Sequence, residues 1–235
     1  YAFSQREHIK FYVTSTDVQN RLLKQQFKKY MEASPKVVTI PVGSLDELKV
    51  PEKARKKHSL ITASRLASEK HVDWLIDAVA AAREKVKDIS LDIYGKGGEE
   101  NKLKEQIKQL HCEDYVRLCG QKNLQEIYKN YEVYLSGSTS EGFGLTLMEA
   151  VGGGLPIIGF DVRYGNPTFI DEGKNGYLIP VDEHMTANEK IDALTDRLIQ
   201  LFTEADLDSF HKHSYEKARR FLTKEVELRW KHIMG

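Results

Sequence analysis

Residues 133–149 read Val133-Tyr134-Leu135-Ser136-Gly137-Ser138-Thr139-Ser140-Glu141-Gly142-Phe143-Gly144-Leu145-Thr146-Leu147-Met148-Glu149. An apolar run over 133–135 gives way to a turn of small and polar residues, and a helical pattern follows over 145–151. Strand, turn and helix in that order form the repeating unit of a parallel α/β sheet. Gly142 and Gly144 flank the turn, so backbone N–H groups and the positive end of the new helix dipole stay open to an anion. Glu141 and Glu149 lie eight residues apart across it. Phosphate repels both carboxylates, which are left for hydroxyl groups. The combination suits a nucleotide-sugar site.

The same alternation extends outward in both directions. A first series has a strand at 9–13, a helix at 18–31 with Leu22, Leu23, Phe27 and Tyr30 on one face, and a strand at 37–40 ending at Pro41-Val42-Gly43. Residues 44–57 are polar, contain Pro51 and read as a linker. A second series has strands at 60–63, 90–94, 115–118, 133–135, 156–160 and 176–179. Between them fall helices at 73–86, 99–110, 124–131 and 145–151, and the tail from 191 to 233 is expected to be helical throughout. The fold class is therefore α/β, a Rossmann-like doubly wound parallel sheet, with ligands beyond the carboxyl ends of the strands at the switch point.

Composition narrows the function classes. The chain has 235 residues, enough for a sizeable core. Its 35 basic residues match 35 acidic ones, so no net field draws it to nucleic acid or to a membrane surface, and membrane association is at most peripheral. Cys112 and Cys119 match no zinc spacing, and two thiols in a chain this size fit a reducing, cytoplasmic compartment. His211 and His213 lack a third ligand nearby in sequence, so no metal is expected. The Tyr94-Gly95-Lys96-Gly97-Gly98 run lacks a full dinucleotide loop and reads as a tight turn. Asp206-Leu207-Asp208 reads as a solvated helix start.

Ser64-Arg65-Leu66-Ala67-Ser68-Glu69-Lys70 follows the strand at 60–63. Arg65 can fork onto two phosphate oxygens and Lys70 adds a point charge. A glycosidase acid/base pair is the other chemistry two carboxylates suggest, but a hydrolase has no use for these two cations.

Taken in order, the pieces resemble the donor half of GT-B glycosyltransferases, in the large retaining family that includes sucrose and trehalose synthases and many bacterial hexosyltransferases. They are Ser64-Arg65-Leu66 with Lys70, Asp92-Ile93-Tyr94-Gly95 with Gly97, Val116 to Gly120, Ser138 to Gly144, Glu149-Ala150, Gly154-Leu155-Pro156 and Asn175-Gly176-Tyr177-Leu178. The resemblance implies that Arg65 and Lys70 hold a diphosphate and offset its developing charge. It implies that Glu149 accepts from the ribose hydroxyls. Glu141 with the backbone of Gly142, Phe143 and Gly144 would hold sugar hydroxyls, and the Leu145 and Thr146 N–H groups would meet phosphate. Backbone near Cys119 and Gly120 would read the uracil edge. The co-substrate would be a UDP-sugar, with no metal and no protein nucleophile, and a phosphate oxygen would take the acceptor's proton.

One departure narrows the branch. Where many relatives carry Gly-Gly-x-x-Glu, this chain has Tyr164-Gly165-Asn166-Pro167-Thr168-Phe169-Ile170. That run is similar to a Gram-positive branch containing teichoic-acid glycosyltransferases and the enzymes that start O-glycosylation of serine-rich adhesins, and it is closest to the latter. The branch implies transfer of N-acetylglucosamine to Ser or Thr of a protein acceptor, and a related adaptor subunit as partner. Asn166 and Thr168 are expected to take over part of the donor-sugar role of the missing acidic residue. A teichoic-acid hexosyltransferase or a non-catalytic nucleotide-sugar-binding adaptor are the alternatives. By the same resemblance, residues 1–48 would be a remnant of an N-terminal acceptor domain. Residues 49–215 would be the donor-binding domain, and 216–235 a helix crossing back. The chain begins with Tyr1 and would lack the acceptor half, so transfer by it alone is expected to be incomplete.

Overall fold

Nearly every strand of the chain is apolar on both sides, which is the pattern of a parallel sheet covered by helices on both faces. The computed structural model describes residues 9–30 and 35–235 and bears this out. A first unit has strand β1 (Tyr12–Thr14), helix α1 (Asp17–Tyr30) and strand β2 (Val37–Thr39), with β1 and β2 paired in parallel. Met31, expected to end α1, lies outside the described residues. Phe27 is the apolar anchor of α1, whereas Tyr30 is 66% exposed and does not share its buried face.

The second unit begins with strand β3 (Ser59–Ala63) and helix α2 (Val72–Ala82), then strand β4 (Ser90–Tyr94), helix α3 (Glu100–Gln109) and strand β5 (Val116–Gly120). It continues with strand β6 (Val133–Ser136), helix α4 (Leu145–Gly152), strand β7 (Ile157–Phe160), a short helix α5 (Asn166–Phe169) and strand β8 (Gly176–Ile179). The tail is helical, as expected, and divides into α6 (Ala187–Glu204), α7 (Leu207–Ala218) and α8 (Thr223–Met234), with α7 starting where Asp206-Leu207-Asp208 reads as a helix start. Asp206 breaks it by accepting the Ser209 N–H as an N-cap, and extended backbone at Leu222 breaks it again. The expected helix at 124–131 is only a 3-10 turn, Tyr128–Asn130.

All six strands of the main sheet run parallel in the order β5-β4-β3-β6-β7-β8. Strand order reverses between β3 and β6, where Leu60 pairs with Val133 and Ile61 with Tyr134. One face packs Leu75, Ile76 and Val79 of α2 against Leu194, Leu198 and Leu201 of α6. The other packs Leu147, Met148 and Val151 of α4 with Phe169 and Phe221.

The expected linker at 44–57 is not free. Leu45 bridges to Leu222, and Lys49 N–H donates to Gly152 O at 2.9 Å. The half-buried Arg55 guanidinium donates to the carbonyls of Lys129, Tyr131 and Gly153 at 2.7–2.9 Å and to the Tyr215 hydroxyl at 3.1 Å. The segment is thus bolted to the end of α4. Beyond it, Arg220 pairs with Asp17 of α1, tying the tail to the first unit. Among the described residues, no helix is long and apolar enough to cross a membrane.

Candidate functional site

The reversal between β3 and β6 splays the two loops that leave their carboxyl ends, and a cavity of about 440 Å3 opens there. Ser64, Arg65 and Lys70 reach it from the β3 side, and Ser138, Glu141 to Leu147 from the β6 side. Glycine makes the close approach possible. A Cβ on Gly137 would lie 2.6 Å from His71 O and 2.8 Å from Lys70 O, so a side chain there would push the loops apart. Gly144 stands at the start of α4 with φ 88°, a left-handed conformation that favours glycine. No side chain caps α4, which leaves its first N–H groups directed at the cavity.

Lys70 Nζ donates to Glu141 Oε2 at 2.8 Å, and the two side chains are only 19% and 18% exposed. The Glu141 backbone is pinned as well: its N–H donates to Arg163 O at 3.1 Å and its carbonyl accepts from Gly165 N–H at 2.8 Å. Phe143 turns its ring into the core against Phe169 and Phe221. Arg65 lines the cavity but is 72% exposed, and its guanidinium pairs with Glu69 at 2.6 Å. It therefore stands at the rim rather than on the floor.

A second cavity of about 530 Å3 adjoins the first on the β4–β5 side and shares Ala63, Ser64, Arg65 and Thr146 with it. Glu149 lines it from α4, and Tyr94, Gly95, Lys96 and Gln121 to Gln125 complete it. Burial pushes the Glu149 carboxyl above the usual range, and the Tyr128 hydroxyl, which donates to Oε2 at 3.1 Å, offsets this only partly. The Tyr134 hydroxyl donates to Ala63 O at 2.9 Å and lies 3.0 Å from Thr146 Oγ1, which joins β3, β6 and α4 at the seam of the two cavities.

The structure thus gathers Ser64, Arg65, Lys70, Glu141, Gly142, Phe143, Gly144, Leu145, Thr146 and Glu149 around one cleft. Cys119 and Gly120 stop short of it. Gly120 O accepts from Gly95 N–H at 3.0 Å, and the cavity wall is made by the loop that follows, from Gln121 on. Asn166 and Thr168 do not line the cleft. Asn166 is fully buried with Nδ2 on Phe160 O, and Thr168 Oγ1 donates to Tyr164 O, so both hold the turn after β7. Tyr94, Gln121 and Lys122 were missed, because nothing in a strand end or a polar loop marks which side chain faces a cleft.

Comparison with known proteins places this geometry in a family. The model of the glycosyl transferases group 1 family matches residues 45–200. The whole chain is 50% identical to the UDP-N-acetylglucosamine--peptide N-acetylglucosaminyltransferase GtfA subunit of Streptococcus gordonii, of which it covers 46%. The crystal structure of the pneumococcal O-GlcNAc transferase GtfA in complex with UDP and GlcNAc superposes with a TM-score of 0.89 at 50% identity, over 99% of this chain and 46% of that one. A GtfA/B complex gives a TM-score of 0.95 at 50% identity, again over 99% and 46%. The chain therefore spans about half the length of the proteins it matches.

Proposed function

The chain belongs to the group 1 glycosyl transferases, and from that premise we propose that it is the donor-binding part of a retaining transferase. The enzyme moves N-acetylglucosamine from its UDP conjugate to Ser or Thr of a serine-rich protein. The observation that carries this is the coincidence of Lys70, Arg65, Glu141, Glu149 and the open end of α4 around one switch-point cleft. It occurs in a chain half identical, over its length, to a peptide N-acetylglucosaminyltransferase. That identity favours a peptide acceptor over teichoic acid.

In this reading the diphosphate sits on the N–H groups of Leu145 and Thr146. Lys70 and Arg65 lie against it, Arg65 turning from Glu69. The ribose hydroxyls donate to Glu149, while Glu141 and the Gly142–Gly144 backbone hold the sugar. The glycosidic bond breaks with its electron pair on the departing phosphate oxygen. The acceptor hydroxyl attacks the same face, and its proton passes to that oxygen, so the configuration is kept without a protein nucleophile. Two cations and a helix end supply the charge compensation, so no metal is required.

Residues 1–48 act as part of an acceptor-side domain and 49–215 as the donor domain. Residues 216–235 return to the first, a path supported by the Asp17–Arg220 pair. An adaptor resembling the second subunit of the GtfA/B complex completes the enzyme, which works in the cytoplasm. Titration calorimetry in chelator tests the reading. The chain binds UDP and UDP-N-acetylglucosamine, and Lys70→Ala and Arg65→Ala each weaken binding about tenfold, the scale of one charged hydrogen bond. No binding by folded chain, or binding indifferent to both changes, would refute it.

A further inference from the structure

Both cations that the donor reading assigns to the diphosphate are already held by carboxylates of the fold. Arg65 Nη2 donates to Glu69 Oε1 at 2.6 Å, and Lys70 Nζ to Glu141 Oε2 at 2.8 Å. The first pair is exposed and spans four residues, and a pair of that kind opens at little cost. The second joins residues 71 apart, from the loop after β3 to the loop after β6, and both its side chains are mostly sheltered from water. Parting a sheltered pair leaves a charge that solvent compensates poorly, so this one resists opening.

Lys70 is the partner that can move. It ends the 3-10 turn Ser68–Lys70 and carries a flexible four-carbon stem. Glu141 cannot follow it. Its backbone is bridged to Tyr164, and its stem packs directly on glycine. A Cβ on Gly165 would lie 2.6 Å from Glu141 Cγ, and one on Gly144 would lie 3.3 Å from it. A phosphate that draws Lys70 away therefore leaves Glu141 in place, a carboxylate without its cation and close to a second anion. A hydroxyl donated by a sugar gives that carboxylate a new partner. A nucleotide without a sugar offers none.

We propose that Glu141 competes with the diphosphate for Lys70, and that this competition makes the site discriminate the sugar nucleotide from the free nucleotide. This rests on the donor-site reading above. A UDP-sugar replaces the lysine on Glu141 with hydroxyl donors, whereas UDP leaves the carboxylate unpaired and is held more weakly for it. Once the sugar has been transferred, Glu141 draws Lys70 back and loosens the UDP that remains. A carboxylate that did no more than hold the sugar would leave the affinity for UDP untouched, so the two roles part at the free nucleotide.

The test titrates the 235-residue chain with UDP and with UDP-N-acetylglucosamine, for wild type, Glu141→Gln, Lys70→Ala, the double variant and Glu69→Gln, with thermal melts alongside. Glu141→Gln binds UDP about tenfold more tightly than wild type, while its affinity for the sugar nucleotide does not rise. In the Lys70→Ala background the same change moves UDP affinity by less than about threefold, because the competition is gone. Glu69→Gln, at the exposed pair, shifts both ligands together and by no more than about threefold. Should a variant fail to fold, Glu141→Ala or Lys70→Met takes its place. UDP affinity that is unchanged or weaker in Glu141→Gln overturns the proposal and leaves the donor reading standing. Equal tightening with and without Lys70, or equal tightening of both ligands, also overturns it, since plain repulsion between Glu141 and phosphate would then be the cause. A wild-type chain that binds no UDP overturns the donor reading and the proposal with it.

Discussion

Glu149→Gln should make the chain more stable and a worse nucleotide binder at once. The side chain is half buried, and among the described residues it accepts a hydrogen bond from the Tyr128 hydroxyl at 3.1 Å. Burial raises its pKa in the folded state. A raised carboxyl contributes stability that is complete below its unfolded pKa and is lost as pH rises through the folded one. At pH 7 the ionised group is therefore a net cost. Glutamine keeps the shape and an acceptor for Tyr128 but carries no charge to desolvate. The gain is up to about 1 kcal/mol, or about 2–4 °C in Tm for a chain of this size. Binding moves the other way. Each ribose hydroxyl exchanges a charged acceptor for a neutral one at about 1 kcal/mol, so two cost about 2 kcal/mol, or about 30-fold in Kd for UDP. Calorimetric titration and thermal melts of the same samples give both numbers. The wild-type advantage in affinity also shrinks as pH falls toward the raised carboxyl pKa, where Glu149 becomes neutral like Gln. Stability and affinity falling together would refute the reasoning, as would an unchanged UDP affinity.

Three further outcomes follow from the packing. Gly144→Ala forces a Cβ into a left-handed residue and to 2.6 Å from Leu147 Cδ1. It costs about 1–2 kcal/mol by denaturant unfolding and weakens UDP by tilting the start of α4. Arg55→Met strips partners from three carbonyls and should cost about 3 kcal/mol, with Arg55→Lys restoring little because it lacks the planar fork. Burial, and after it the nearby Arg55 charge, push the His211 pKa down from 6.5 to about 4, while its Nδ1 donates to Gly154 O. The fold thus favours neutral His211. Its contribution is complete above pH 6.5 and is lost as pH falls toward about 4, so the stability gap between wild type and His211→Gln should narrow over that window.

How far the sequence carried the account depends on what local pattern encodes. Strands such as Ser90–Tyr94 and Gly176–Ile179 were legible to the residue, because short apolar runs alternating with helices mark the buried strands of a parallel sheet, even with Asp92 inside one of them. In the tail, the start of α7 was legible because Asp206 is a ready N-cap, whereas the break at Leu222 was not, since it lacks glycine or proline and rests on extended backbone alone. The 124–131 segment has a helical spacing but forms only a 3-10 turn. Tyr128 is drawn to Glu149 and Tyr131 to Asp92, and those long-range bonds outweigh local propensity.

The site divides the same way. Glu141, Lys70 and Glu149 were readable because glycines and strand ends fix where a backbone must go. Arg65 was readable as a residue but not as a rotamer: its exposed pairing with Glu69, four residues on, turns it to the rim. Asn166 shows the opposite error. A polar residue in a motif position suggested a ligand contact, whereas its amide bonds Phe160 O inside the fold.

The most direct measurement is a crystal structure of this chain grown with UDP. The account predicts the diphosphate against the start of α4 with Lys70 within hydrogen-bond distance, Arg65 turned from Glu69, and the ribose hydroxyls on Glu149. UDP bound elsewhere, or in this cleft with its ribose away from Glu149, would contradict it.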